Sequence, residues 1–468
     1  MRVYALYAVV AGLLAYAWKD WFKSLCGLIV LMAVIEHEDM PKSIMGIQGF
    51  NLWNVLFFGV FLAWLVGRRR EQLTWDMPRH MNVLLLLYLG VILVGFLRAL
   101  LDRSHIEDYP LKNLLSEELI NTVKWVLPGI LLYDGCRTRK RMTWAIVSIL
   151  AMYFLIAAQV IKRMPFASAF SGGGYAIQHI RTKLCASIGY SSCDMSAMLA
   201  GASWAIVASM YLVRRRVHKI LIAGAAAVTV FGQALTGGRA GYLAWGATGI
   251  ALCVVRWRKY LLLAPVVPLL LYLAFPGAAE RALTGFGETD AAGEAVVNRH
   301  LVTSGRARTW PHIIDRIGDA PVFGYGRLAV LRTGLRDELL AAYGRSDALP
   351  HAHNIYLEWL IDNGIVGFIP ILAFYVLMLL YSARLFRSGD GLSAAVGGMG
   401  LSLILVQLVA GLGAQHFYPR VSTLGMWAGM FLVLRLTVAT APERDVPHAA
   451  ALTETPLPGT RGPLPSAV

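Results

Sequence analysis

Charge is what this 468-residue chain has least of: Asp, Glu, Lys and Arg make up 15% of it, against 57% apolar residues. Soluble domains carry about one quarter charged residues, so a water-soluble fold is excluded, because it could not hide that much apolar surface. Cysteine is scarce as well, five in all, with no Cys-x-x-Cys pair, which removes the usual cysteine metal sites. No internal repeat is visible, and acid is short relative to base. The resulting net charge of +15 suits nucleic acid in principle, but its placement argues for no nucleic acid partner.

What fills the chain is a succession of apolar runs near the roughly 20 residues a membrane-spanning helix needs. They cover Phe50 to Val66, Val83 to Leu97, Ile120 to Tyr133, Trp144 to Val160, Met195 to Val213, Leu221 to Leu235 and Tyr242 to Val255. Further runs cover Leu261 to Phe275, Ile365 to Tyr381, Leu392 to Leu412 and Val421 to Leu436. Two shorter stretches, Val3 to Ala17 and Ser24 to Ile35, precede them. The first ends Ala15-Tyr16-Ala17, like a signal-peptidase site, but another apolar stretch follows at once, so it reads as a retained helix. The expected fold is all-α, a polytopic transmembrane helical bundle of about 12–14 helices.

The basic residues sit in short connectors. Arg68-Arg69-Arg70, Arg137 with Arg139 to Arg141, Arg214-Arg215-Arg216, Arg256 with Arg258 and Lys259, and Arg384 with Arg387 recur at every second connector. By the positive-inside rule these face the cytoplasm. The intervening connectors, about 98–118, 161–193, 276–350 and 412–420, then face the periplasm, and the chain reads as a multi-pass protein of the bacterial inner membrane. Its organisation is transmembrane helices over 1–275, a large periplasmic loop over 276–350, C-terminal transmembrane helices over 351–440, and a disordered cytoplasmic tail over 441–468, rich in Pro and polar residues. A structureless loop of the length of 276–350 would be unusual. Ala307 to Ile317 and Arg336 to Tyr343 have amphipathic patterns, so the loop is expected to be partly helical. Cys185 and Cys193 share one outer connector, where an oxidising compartment permits a disulfide; sequence supplies no geometry to decide it.

Three groups of residues suit chemistry. Arg239 stands in Thr236-Gly237-Gly238-Arg239-Ala240-Gly241, between two apolar runs. A charge at membrane depth costs about 2.5–3.5 kcal/mol on insertion scales and marks a functional site, and the glycines interrupt the helix and admit a ligand to the backbone. The alternative is an interfacial Arg that snorkels. Second, Pro350 is followed by His351-Ala352-His353-Asn354, so both histidines fall at the mouth of a helix. Imidazole suits acid–base work near neutral pH. Two interfacial histidines that only make hydrogen bonds are the bland alternative, and no Asp, Glu or Cys stands at a recognisable metal-ligand spacing from them. Glu358, one turn beyond Asn354, reads as its structural partner. Third, Ser304-Gly305-Arg306-Ala307-Arg308-Thr309-Trp310 lies in the long outer loop, ahead of Pro321-Val322-Phe323-Gly324-Tyr325-Gly326. Guanidinium is the better fork for phosphate oxygens.

Taken in order, an Arg after a Gly pair, a long outer loop with Ser-Gly-Arg and Trp, a Pro-x-x-Gly-x-Gly, and a His-x-His-Asn opening a helix resemble the O-antigen ligase and polymerase superfamily. The resemblance is strongest over residues 230–375 and rests upstream on helix count alone. It implies a glycosyltransferase without metal or other cofactor, active on the periplasmic face. Its donor would be an undecaprenyl-diphosphate-linked glycan. The acceptor hydroxyl would belong to lipid A core in a ligase, a growing glycan in a polymerase, or a protein in an O-oligosaccharyltransferase. The resemblance implies His353, immediately before Asn354, as the base, with His351 assisting. Arg239 and Arg306 suit the diphosphate, with Arg308 as substitute or helper. The double His and Arg-bearing loop lean toward a ligase. Many helices with buried charges also describe a lipid-glycan flippase, but the missing repeat and the gathering of polar motifs on one face favour an enzyme.

Overall fold

The computed structural model describes residues 2–440 except 48, 166–173, 264–265, 267–268, 270–271, 274–275, 285, 287, 290–294, 299–301, 345–349 and 415–416. The expected tail over 441–468 lies outside the described residues, as does much of the expected span 261–275.

The chain is a polytopic helical bundle. α1 (Arg2–Ala17) and α2 (Trp21–Ile35) form a hairpin, closed where Ser24 Oγ donates to Leu13 O at 2.8 Å. α3 (Leu52–Arg70) and α4 (Arg79–Leu101) follow, then the short α5 (Leu111–Leu115), α6 (Asn121–Lys124) and α7 (Leu127–Gly135). Next come α8 (Arg139–Arg163), α9 (Gly174–Ile188), α10 (Ser192–Ala208), α11 (Arg216–Leu235) and α12 (Arg239–Val255). α13 (Pro276–Leu283), α14 (Arg306–Asp319), α15 (Ala329–Arg332) and α16 (Leu335–Tyr343) lie in the long connector. α17 (Ile355–Phe386), α18 (Gly391–Ala410) and α19 (Leu424–Ala439) complete the described chain. The described strands are a two-residue ladder, Glu288–Thr289 against Ala295–Val296.

Among the described residues, eight helices are long and apolar enough to cross a membrane, and α1, α2 and α12 are shorter apolar helices. In the most apolar 18 residues of each stretch, 78% are buried around α18 and 83% around α19, against 22% in α11, so α18 and α19 form the centre and α11 faces outward. The sequence explains the centre. Lipid gives helices no hydrophobic reason to associate, so close packing through small residues takes over. α18 carries Ala394, Ala395, Gly397, Gly398 and Gly400, and a Cβ on Gly397 would lie 2.2 Å from the Phe386 backbone nitrogen at the end of α17.

The basic clusters gather at one end of the bundle. There Arg139 pairs with Asp390 at 2.8 Å, Arg141 with Glu71 at 2.6 Å, and Arg137 and Arg435 with Asp76 at 2.7 and 2.6 Å. Arg256 donates to Ser388 O at 2.7 Å. α12 and α17 end here, so Arg239 and the residues before Ile355 open at the opposite end.

Two expected helices depart from regularity. The run Ile120 to Tyr133 is not one span: a π-turn over Ser116–Ile120 leads into α6, and α7 starts afresh with Pro128 near its N-terminus. Proline removes a donor and is tolerated in the first helical turn. α17 covers the expected run but breaks at Gly364, where φ is 60° and ψ −170°. The chain around Pro321 to Gly326 threads into that break. Ile365 N–H donates to Pro321 O at 2.9 Å, Val366 N–H to Val322 O at 3.1 Å, and Tyr325 N–H to Ile361 O at 2.8 Å. The backbone groups freed by the break are thus satisfied, as burial demands. A Cβ on Gly364 would meet Val322 O at 2.3 Å, and one on Gly324 would meet Ile361 O at 2.6 Å. The Pro-x-x-Gly-x-Gly motif is therefore a packing device that locks the long connector to α17.

Candidate active site

α11 ends at Leu235, and after a turn through Gly237 (φ 69°) α12 begins at Arg239. The glycines interrupt the helix as expected, but they admit a neighbouring helix, not a ligand. A Cβ on Gly241 would stand 2.1 Å from Ser196 Oγ of α10, and that hydroxyl donates to Gly238 O at 2.9 Å. The half-buried Arg239 reaches into the long connector, donating to Thr284 O at 3.0 Å and to Ser304 Oγ at 2.6 Å. Ser304 and Gly305 are both left-handed (φ 53° and 87°), a tight turn that starts α14 at Arg306. The Ser-Gly-Arg motif therefore does two jobs: its serine anchors Arg239 and its arginine opens a helix.

Arg306 turns toward α18, donating to Gly413 O at 3.2 Å, while its Nε is buried without a hydrogen-bond partner among the described residues. Burial holds its pKa below the ordinary arginine value, a direction that marks a charge ready to gain from an anion. Arg308, on the same helix, is exposed and is not part of the cavity wall.

The two histidines lie on the loop before α17. Asn354 caps that helix, its Oδ1 accepting from the Tyr356 and Leu357 N–H groups at 3.0 and 3.2 Å. The peptide between the histidines is clamped from both sides. Ala352 N–H donates to Glu358 Oε2 at 2.6 Å and Ala352 O accepts from Trp310 Nε1 of α14 at 3.0 Å. Glu358 thus steadies the histidine loop rather than Asn354, a role spacing along one helix could not reveal because the loop doubles back over the first turn. His353 sits in the left-handed region, at φ 48°, a conformation of the kind that concentrates at functional sites. Its backbone N–H donates to His351 Nδ1 at 3.3 Å, which leaves the His351 proton on Nε2. The two rings stand 3.8 Å apart.

A cavity of about 460 Å³ joins these residues. Its wall includes His351, His353, Arg306, Arg181, Arg420 and Asp194, with Cys185 and Cys193 also on it. Both thiols are free. Arg239 is not on this wall, yet Arg181, Arg281 and Arg306 are close enough to act on its charge, so one strongly positive field spans both. That field acts on the imidazoles. Burial, then His353 and Arg420, push the His351 pKa down to about 2; burial, then Arg306 and Arg420, push that of His353 down to about 4. Both rings are neutral at pH 7. Among the described residues no group of three or more His, Cys, Asp or Glu side chains could hold a metal ion.

The cavity adjoins a larger cleft of about 1370 Å³, which shares Asp194 and Arg420 with it. Trp53, Trp125, Asn54, Lys112 and Glu117 line this cleft, on the irregular stretch around α6 and on α3. Between cleft and histidine loop lies a buried network. Arg327 bonds Glu118 at 2.6 Å and Asp362 at 3.4 Å and stacks on the Tyr418 ring 3.4 Å from its centroid. Tyr418 OH donates to Asp362 at 2.7 Å.

Sequence reasoning thus named His351, His353 and Arg306, which share the cavity. It missed Arg181, Arg420 and Arg327. Arg420 had one signal: it is the lone Lys or Arg of the short connector 412–420.

Residues 224–372 match the family described as O-antigen ligase. The matched segment contains Arg239, Arg306, His351 and His353 and stops short of Arg181 and Arg420. No curated protein matches the chain.

Proposed function

Since residues 224–372 match the family described as O-antigen ligase, we propose that the chain is a membrane glycosyltransferase of that superfamily and transfers a glycan from an undecaprenyl-diphosphate donor to an acceptor hydroxyl. The reaction takes place on the periplasmic face of the inner membrane. The observation that carries this reading is the cavity in which neutral His353 faces Arg306, Arg181 and Arg420.

The chemistry follows from the charges. As the bond between the anomeric carbon and the phosphate oxygen breaks, its electron pair leaves on the diphosphate. Arg306, Arg181 and Arg420 stabilise that developing charge through charge-assisted hydrogen bonds. Arg239, anchored on Ser304, holds the outer part of the diphosphate. The acceptor oxygen attacks from the opposite side, so the centre inverts, and its proton passes to His353. His351 supports His353 from the side. The arginine field makes a bare His353 a weak base; an arriving diphosphate offsets that field and raises its basicity where the proton must be taken. The acceptor approaches through the adjoining cleft, whose indoles and amides suit a saccharide. Of the possible acceptors we favour lipid A core, the ligase reaction.

A glycan-transfer assay in membranes tests this. His353→Ala should abolish transfer; an active variant removes the base. Release of undecaprenyl diphosphate only when acceptor is present separates an enzyme from a flippase. Surface glycans of a deletion strain decide the branch: lipid-linked chains of full length without attachment indicate a ligase, and shortened chains a polymerase.

A further inference from the structure

At the opposite end of α12 from Arg239, about 25 Å away along a helix of this length, a second cavity of about 890 Å³ opens between α10, α11 and α12. Its floor is aromatic and internally satisfied. The Trp204 and Trp245 rings stack at 5.0 Å, Trp204 Nε1 donates to Trp245 O at 2.9 Å, and Trp257 Nε1 donates to Tyr211 OH at 2.9 Å. Arg256 is committed to the fold, since it lies over the Tyr211 ring and donates to Ser388 O. Lys219, Arg258 and Lys259 are not tied to a distant element in this way: Arg258 Nε donates to Val254 O one turn back at 3.4 Å, and Lys259 lies over the ring of its neighbour Tyr260 at 5.0 Å. All three are exposed at the rim; among the described residues none has a carboxylate partner and no Asp or Glu lines the cavity.

We propose that this cavity is a binding site for an anionic diacyl phospholipid, with the phosphate held by Lys219, Arg258 and Lys259 and the upper acyl segments laid against Trp204, Trp245 and Ile250. The charge pattern chooses the occupant. Three cations without a counter-ion above an apolar aromatic groove match a headgroup phosphate joined to hydrocarbon, and basic pockets between membrane helices take such headgroups. The site stands apart from the histidine cavity and does not depend on the glycosyltransferase reading. Its occupant would brace the end of α12 whose other end carries Arg239.

Gly246 makes a test that leaves the charges alone. It lines the cavity, and a Cβ there has nothing within 4 Å, so Gly246→Leu fills groove space without a backbone clash. Protein purified in a neutral detergent would be offered equal amounts of phosphatidylglycerol and phosphatidylcholine and examined by native mass spectrometry. The wild type should retain phosphatidylglycerol about tenfold more than phosphatidylcholine, which corresponds to about 1.4 kcal/mol. Both Gly246→Leu and the triple variant Lys219→Gln, Arg258→Gln, Lys259→Gln should lose that preference at an unchanged thermal midpoint. Equal retention of the two lipids by the wild type would overturn the proposal. So would undiminished preference in Gly246→Leu, because attraction to diffuse charge needs no groove. If one variant fails to fold, the other decides.

Discussion

The arginine field around His353 makes a quantitative claim about pH. His353 falls from 6.5 to about 4, through burial first, then Arg306, then Arg420. Because the pKa is lowered, the ring carries a proton only at acid pH, and the base function is lost as pH falls through the lowered value. The acid limb of kcat/KM, which reports the free enzyme, should therefore lie near 4 in the wild type, well below an ordinary histidine. As the smallest of three causes, Arg420 supplies at most about a third of the displacement, roughly 0.8 of a pH unit. Arg420→Gln should move the limb upward by about 0.8 of a pH unit or less, while Arg306→Gln should move it further and also slow transfer. The limb of kcat, measured with donor bound, should already sit higher in the wild type, since the diphosphate offsets the same field. Initial rates of transfer from lipid-linked donor between pH 4 and 8, in detergent-solubilised enzyme, read all of this. A wild-type kcat/KM limb at 6.5, or one that ignores both arginine substitutions, would refute the argument.

Other outcomes follow from the same geometry. His353→Ala should lower transfer by about 10²-fold or more while donor binding, read by retention of radiolabelled lipid-linked glycan, persists. Arg239→Lys should recover little of the rate lost in Arg239→Ala, because an ammonium cannot bond Thr284 O and Ser304 Oγ in one plane; full rescue would mean a plain point charge suffices. Trp310→Phe deletes the bond to Ala352 O, so kcat should fall about tenfold while stability changes by about 1 kcal/mol, checked by rate and thermal midpoint together. Gly364→Ala puts a Cβ against Val322 O at 2.3 Å and should cost more than about 4 kcal/mol, seen as failure to elute as a single species in size-exclusion chromatography.

Most of the bundle was legible because spanning helices are local: a run of apolar residues is nearly sufficient, so α4 and α8 cover the runs that announced them and α3, α10 and α18 overlap most of theirs. The stretch Ile120 to Tyr133 misled because composition does not register a π-turn, and Pro128 could be read as a tolerated interior residue. In the site, residues close in sequence were readable, as with His351 and His353 before a helix cap. Arg181 and Arg420 were not, since they join the cavity from helices and connectors far along the chain, and each alone resembles an ordinary interfacial cation. The glycines near Arg239 were noticed for their flexibility, but their use depends on Ser196, 45 or fewer residues upstream on another helix.

The threading of the Pro321 to Gly326 segment through the break in α17 has a consequence for how the molecule is made. Two rungs of the helix ladder, at Ile365 and Val366, are completed only by carbonyls translated some forty residues earlier. α17 therefore cannot reach its final hydrogen-bonded state on insertion alone; it must wait for the preceding connector to dock. The histidine loop is attached to that helix and the arginine helix to that connector, so maturation of the site is tied to a late checkpoint in assembly. A chain arrested before docking would be fully inserted, correctly oriented and inert.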